Sequence, residues 1–237
     1  MKSSAFCLVL ALVFSASIWA QPPVEAITFA AEPGVIYAPL LEVARHLHLD
    51  TTFDKDGRCV QLQSSTVKPG SLRQFTDGTE LLRAIDLPLA DARITLEEKD
   101  GVTLVRRGFY RLRLLIGPKR VEVNLAAQQL EAWQGSRLVL KRHISSGRHG
   151  STPTGSFTAG PFRARMHYSS LFQNAPMPWS VQIYGHVFIH GFTSVPDHPA
   201  SHGCIRLPLD GGNPARFFYE WVDDGTPVRV LPGDTPA

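Results

Sequence analysis

The sequence predicts a mainly β domain preceded by a small α+β domain of repeated helix–hairpin units. Two observations carry this prediction. Up to about residue 107, apolar residues at helical spacing precede extended runs, and the turn Lys-Asp-Gly occurs at 55–57 and again at 99–101, 44 residues on. From about residue 108 the texture changes to short alternating runs broken by Gly, Pro and Ser, the pattern of antiparallel strands. With 43% hydrophobic and 19% charged residues, the 237-residue chain can bury a core and is neither disordered nor collagen-like. Lys and Arg number 24 against 21 acidic residues, and so small an excess gives no ground for a nucleic-acid partner.

The N-terminus comes first. Met1-Lys2 is followed by the apolar run Ala5 to Phe14 and by small residues up to Ala20. This reads as a secretory signal peptide over 1–20, cut after Ala20, with Ala26 as a second candidate. The run is short for a spanning helix, and no other stretch is apolar enough to cross a bilayer. The expectation is an exported protein with no transmembrane anchor once the signal is removed. Cleavage leaves Cys59 and Cys204. Two cysteines in an oxidising compartment would pair, unless one of them is a nucleophile that must stay free.

Residues 36–62 read as a helix and a hairpin. Pro39 suits a first turn, Leu40, Val43, Ala44 and Leu47 share a helical face, and Phe53 and Cys59 to Leu62 flank Lys55-Asp56-Gly57. The pattern repeats with Leu81, Leu82 and Ile85 as the helix face and with Ile94 to Leu96 and Val102 to Val105 as the hairpin. Val67 to Phe75 is the connector. Over roughly 27–107 this weakly resembles copper amine oxidase N-terminal-like domains, a resemblance that implies no copper. His46 and His48 point to different faces of one helix and read as surface residues rather than ligands.

In the second region Arg111 to Leu114 and Val121 to Leu125 alternate, and Leu130 to Trp133 with Leu138 to Leu140 form a hairpin about Gln134-Gly135-Ser136. Val181 to Ile189 is read as one strand and Val228 to Leu231 as the last. The one late helix follows Asn213-Pro214 and ends by Trp221. Residues 106–120 hold six basic side chains and no acid. They read as a solvated strand face, the other reading being a patch for an anionic surface.

The chemistry lies at 188–206, which runs Phe-Ile-His-Gly, then Phe-Thr-Ser-Val-Pro-Asp-His-Pro-Ala, then Ser-His-Gly-Cys-Ile-Arg. A cysteine attacks as its thiolate and needs a base or a cation nearby. His190 ends an apolar run and a returning loop can bring it to Cys204, where Gly203 permits close backbone approach and successive amides can hold an oxyanion. Metal binding is the competing reading, since His190, Asp197, His198, His202 and Cys204 are all zinc-competent. Pro196 and Pro199 argue against it by breaking any helix that would align His198 with His202.

These residues strongly resemble the L,D-transpeptidase catalytic (YkuD-type) family, whose hallmark is an upstream His-Gly or His-Ser, a loop, and Ser/Thr-His-Gly-Cys. Ser145-Ser146-Gly147, Thr152-Pro153-Thr154-Gly155, Arg165 to Tyr168 and Ala175 to Pro178 support it, and the resemblance covers about 118–232. It implies an L,D-transpeptidase-like β-sandwich with Cys204 as nucleophile, His190 as general base, the Gly191 carbonyl orienting the imidazole, and the amides around His202, Gly203 and Cys204 as oxyanion hole. Ser201, Arg206, Met166, Tyr168 and Trp179 are the expected substrate-binding residues. Arg206 stands where many members carry Asn, and the ten-residue loop between His190 and Ser201 is shorter than in several members.

The implied reaction releases D-alanine from a peptidoglycan tetrapeptide stem through a cysteine thioester. A second stem's amine then gives a 3-3 cross-link, or a D-amino acid or lipoprotein amine resolves the thioester, with no metal or other cofactor. The implied location is the periplasm, or otherwise the secreted or wall-associated fraction. A carboxypeptidase or endopeptidase of the same fold and a catalytically silent wall-binding module are the alternatives. The resemblance also implies that carbapenems acylate Cys204. No Cys59–Cys204 disulfide is expected, because Cys204 must be free for attack and Cys59 falls in a strand of the separate first domain. His190 is expected to lower the thiol pKa.

Overall fold

The computed structural model describes residues 22–232, and the expected leader 1–20 lies outside them. The chain begins with β1 (Val24–Phe29), β2 (Glu32–Pro39), α1 (Leu40–Leu47), β3 (Thr51–Phe53), β4 (Cys59–Leu62) and β5 (Ser65–Thr66). It continues through β6 (Leu72–Gln74), β7 (Glu80–Arg83), α2 (Leu87–Ala90), β8 (Ile94–Lys99), β9 (Val102–Arg107) and β10 (Tyr110–Ile116). The second lobe starts with β11 (Lys119–Asn124), β12 (Gln129–Gln134), β13 (Arg137–His143) and β14 (Gly155–Thr158). It ends with β15 (Arg163–Tyr168), β16 (Pro176–Tyr184), β17 (Val187–Phe192), β18 (Ile205–Pro208), α3 (Pro214–Trp221) and β19 (Pro227–Leu231).

The first lobe is a seven-stranded sheet in the order β6-β7-β2-β1-β10-β9-β8, beside a small sheet β3-β4-β5. Helix α1 forms where the spacing predicts it, because Leu40, Val43, Ala44 and Leu47 fall on one face and are all buried. His48 closes it in the left-handed conformation. That face packs with Leu82, Val105, Leu112 and Leu114 into the lobe's own core. The second lobe stacks the sheet β13-β12-β11-β19-β14 on the sheet β15-β16-β17-β18. Val121, Val123, Leu130 and Ala132 of the first meet Val181, Ile189, Ile205 and Leu207 of the second in one core, the arrangement of a β-sandwich.

Helix α3 joins the lobes. Asn213 caps it by accepting the Arg216 amide at 3.0 Å, and Pro214 fits the first turn. Its Phe217 packs edge-on against Phe29 and Phe75, with centroids 5.7 and 5.9 Å away. Arg73 lies over the Phe29 ring and pairs with Glu32 at 2.7 Å and Glu220 at 2.8 Å. Each buried aromatic is worth about 1.5–3 kcal/mol, whereas a partly exposed ion pair is worth about 0–1 kcal/mol. The shared apolar core therefore holds the lobes together, and the ion pairs set their register.

Several expectations are corrected. Leu81 and Leu82 form no helix. They lie on β7, which has Leu81 in the core shared between lobes and Leu82 in the core under α1. A strand buried on both faces gives the same apolar doublet as a helix face. The second unit therefore holds a strand and the four-residue α2, and its hairpin joins the large sheet while the first unit's hairpin stands in the small one. Arg111 to Leu114 belongs to this sheet too, which runs from Val24 to Ile116 and so exceeds 27–107 at both ends. Val181 to Ile189 is the hairpin β16–β17, turned at Gly185 where φ is 47°. Lys119 is not solvated. It is buried between Asp223, 3.0 Å away, and the Trp221 carbonyl at 2.6 Å.

Candidate active site

Parallel strands β17 and β18 set the site, with His190 opposite Arg206 and Ile189 opposite Ile205. Alternation turns Phe188, His190 and Phe192 to the same side as Arg206 and, two residues earlier, Cys204. His190 is 3% exposed, and its Nδ1 lies 2.8 Å from the Gly191 carbonyl, which assigns the ring proton to Nδ1 and leaves the Nε2 lone pair free. Gly191 itself is required by packing. A Cβ there would fall 2.4 Å from Leu209 Cδ2 and 3.1 Å from Ala215 Cβ of α3.

The Ser-His-Gly-Cys turn is held from within and from below. Ser201 Oγ donates to the Cys204 carbonyl at 2.6 Å and accepts the Gly203 amide at 3.0 Å. Gly203 has a φ of 143°, and a Cβ on Gly147 would lie 2.8 Å from the Gly203 Cα. Buried Thr152 accepts the Gly147 amide at 2.7 Å and donates to the Gly203 carbonyl at 2.8 Å. Buried Gln128 bonds both the amide and the hydroxyl of Ser146, whose carbonyl takes the amides of Ala200 and Ser201. Two expectations change as a result. Ser201 is 2% exposed with its hydroxyl spent on the turn, so it is not a substrate contact through that group. The Gly203 N–H is likewise taken, which leaves the amides of His202 and Cys204 from the expected trio.

The cleft beside Cys204 is lined by His167, His186, His202 and Arg206, with Phe172 and Met177 as apolar wall and no Asp or Glu in its lining. Arg206 sits over the Phe192 ring at 4.0 Å. His202 is stacked on Phe172 at 4.2 Å, and its Nε2 lies 2.9 Å from Arg148 Nη2. Met166 and Tyr168 do not line the cleft. They are about half exposed, and the residue between them, His167, faces in against Phe188. Trp179 is also outside it, packed on Tyr219 and Arg216 of α3. Its φ of 57° interrupts the alternation along β16, an effect invisible in the sequence pattern.

Burial dominates the electrostatics. It pushes His190 down to about 4, assisted by the Arg206 and His167 charges and opposed by the Gly191 bond. Burial also pushes the Cys204 thiol up, with the Phe188 backbone and Arg206 pulling it back. Cys204 Sγ donates a long bond to the His186 carbonyl, at 3.6 Å. Burial therefore favours a neutral thiol and a neutral imidazole and acts against the expected depression of the thiol pKa. Cys59 and Cys204 are both free, Cys59 being buried on β4 in the first lobe.

Of the zinc-competent residues, His190, His202 and Cys204 line the cleft, while Asp197 and His198 do not. His198 and Asp197 pair with each other at the surface, and among the described residues no three His, Cys, Asp or Glu side chains gather as a metal site. His46 bonds its own helix at the Glu42 carbonyl and His48 stacks on Tyr110, as surface residues do. Gln128, Thr152 and His167 are the functional neighbours that sequence reasoning did not single out. Thr152 and His167 lie inside the supporting segments it quoted, so the signal was present without a role attached.

A mainly β lobe with a cysteine and a histidine facing one carboxylate-free cleft defines the class of this site. The family model of the L,D-transpeptidase catalytic domain (YkuD) matches residues 118–230. No curated protein matches the chain. Among solved structures, an L,D-transpeptidase from Stackebrandtia nassauensis is 22% identical over 49% of this chain and 56% of its own, with a TM-score of 0.44. One from Xylanimonas cellulosilytica is 29% identical over 48% of this chain and 61% of its own, with a TM-score of 0.43. One from Mycobacterium smegmatis is 15% identical over 89% of this chain and 100% of its own, with a TM-score of 0.44. The chain thus spans less than two thirds of the first two.

Proposed function

We propose that this protein is an exported L,D-transpeptidase that acts on peptidoglycan tetrapeptide stems through a thioester on Cys204. The observation that carries the reading is the His190 ring, anchored at Nδ1 by the Gly191 carbonyl and lining one cleft together with Cys204. As Sγ attacks the stem carbonyl, His190 Nε2 takes the thiol proton, and the His202 and Cys204 amides receive the developing oxyanion. The C–N bond to D-alanine breaks, and the same proton passes to the leaving amine. An acceptor amine then attacks the thioester, gives its proton to His190 and releases Cys204. The step starts from neutral partners, so ion-pair formation is driven by substrate binding rather than stored in the resting enzyme.

A cleft lined by Arg206 and four histidines, without a carboxylate, supports a substrate that ends in a carboxylate. The acceptor is proposed to be the amine of a second stem, giving a 3-3 cross-link, with a D-amino acid or a lipoprotein amine as substitutes. Export follows from the location of such stems. Among the described residues no helix is long and apolar enough to cross a membrane.

The test is incubation of purified protein with tetrapeptide muropeptides, followed by mass analysis. Dimers together with free D-alanine are expected, absent in Cys204→Ala. Shortened monomers alone would make the protein a hydrolase, and unchanged substrate a binding module. A carbapenem adduct on wild-type protein, lost in Cys204→Ala, is the independent readout of the nucleophile.

A further inference from the structure

The basic run at 106–120 divides in two in the structure. Arg107 is bound to Asp91 at 2.8 Å and to the carbonyls of Leu47 and His48, and Arg120 to the Gly135 carbonyl. Lys119 is buried, as described above. Arg106, Arg111 and Arg113 remain exposed on the open face of the β9–β10 hairpin, alternating with buried Val105, Leu112 and Leu114. Arg111 stands directly opposite Arg106 in the ladder. Like charges in that position weaken a sheet. The carboxylate facing them is Glu97, 3.4 Å from Arg106, and Arg111 and Arg113 have no ion pair among the described residues.

Gly108 and Phe109 turn the chain at the tip of the same hairpin. Phe109 is 102% exposed, and Tyr110 beside it is 43% exposed. Neither the turn nor the core gives a reason for a phenyl ring at that point. A fully exposed aromatic at the end of a row of exposed arginines, two of them without an ion pair, is the chemistry of a segment that enters the headgroup layer of a membrane.

We infer that this hairpin docks the protein on an anionic lipid bilayer, with Phe109 entering the headgroup–acyl boundary and Arg106, Arg111 and Arg113 on lipid phosphates. Charge complementarity selects an anionic partner. Phe109 selects the bilayer over a soluble polyanion, which would satisfy the arginines and leave the ring in water. The surface is separate from the catalytic cleft, so the inference stands independently of the proposed reaction.

The test is vesicle co-sedimentation of the chain from Gln21 onward, which contains every described element and lacks the apolar leader. Binding to phosphatidylglycerol vesicles, weak binding to phosphatidylcholine and loss of binding at high salt are expected. Replacing all three arginines by glutamine should weaken binding about a hundredfold, at roughly fivefold per charge. The equal charge change in Lys55→Gln, Arg58→Gln and Lys68→Gln should leave most of it. Phe109→Trp should show a blue-shifted emission with the anionic vesicles, a readout that survives if the triple variant misfolds. Equal binding to phosphatidylcholine, an unaffected triple variant, no shift for Phe109→Trp, or binding to soluble polyphosphate without any binding to vesicles would each overturn the inference.

Discussion

Thr152 Oγ1 is the pin beneath the Ser201–Cys204 turn, donating to the Gly203 carbonyl at 2.8 Å while accepting the Gly147 amide at 2.7 Å. One hydroxyl thus ties the loop after β13 to the residue before Cys204. Thr152→Val keeps the shape and leaves two backbone groups unpaired, at about 1–3 kcal/mol for each. A fall in unfolding free energy of that size, with loss of turnover, is expected by urea unfolding and muropeptide assay. Thr152→Ser should restore both. Wild-type stability in the valine variant would show that the pin is not needed.

Gly191 tests how closely α3 supports the histidine. Gly191→Ala places its Cβ 2.4 Å from Leu209 Cδ2 and 3.1 Å from Ala215 Cβ. Overpacking of this kind costs about 1–3 kcal/mol, and here it also pushes on the carbonyl that holds His190. Leu209→Ala in the same chain removes the closer clash. The double variant is expected to recover part of the activity lost in Gly191→Ala. No recovery would mean that the Ala215 contact, rather than Leu209, sets the position of β17.

The second lobe is the more legible part of the chain, and the reason is local. His190-Gly191 and Ser201 to Cys204 carry their geometry in short segments, where a glycine or a hydroxyl answers to one turn. Helices α1 and α3 were legible because Leu40 to Leu47 bury one clear stripe and Asn213-Pro214 marks a start. The second helix–hairpin unit was misread because Leu81 and Leu82 answer to two cores lying on opposite faces of β7. Periodicity cannot separate that from a helix. The resemblance points to the segments that hold Met166, Tyr168 and Trp179 but not to the face each side chain takes, and the left-handed φ at Trp179 is one local feature no motif carries. Lys119 read as a surface charge because its partner Asp223 is distant in sequence.

Acid should destabilise the fold through His190. Its pKa in the fold is about 4, against an ordinary value of 6.5, so the unfolded chain binds the extra proton between these limits. Stability from keeping this ring neutral is fully present above pH 6.5 and is lost as the pH falls towards 4, about 3 kcal/mol in all. His190→Asn removes that dependence and leaves the carboxylates untouched. Urea unfolding at neutral pH and near pH 4.5 should show a steeper loss for wild type than for the variant. Parallel losses in the two proteins would mean that the imidazole is not held neutral by burial.

The last prediction assigns the base. His202 is closer to Cys204 in sequence, but its Nε2 is taken up by Arg148 at 2.9 Å and its ring is stacked on Phe172. His190 has Nδ1 fixed by the Gly191 carbonyl and lines the cleft together with Cys204. His190→Ala is therefore expected to lower turnover by about 10²–10⁴-fold, the range for removal of a general base, with KM little changed. His202→Ala should cost less, through the geometry of the turn. The pH dependence separates the two residues. In wild type and His202→Ala the acid limb of kcat/KM should follow the low His190 value, near pH 4. Alkylation of Cys204 should have its midpoint above that of an ordinary thiol, because burial raises it, and Arg206→Gln should move that midpoint further up by removing the charge that pulls it back. Circular dichroism must show that each variant is folded. If His202→Ala abolished turnover and His190→Ala retained it together with the wild-type acid limb, the base would be His202.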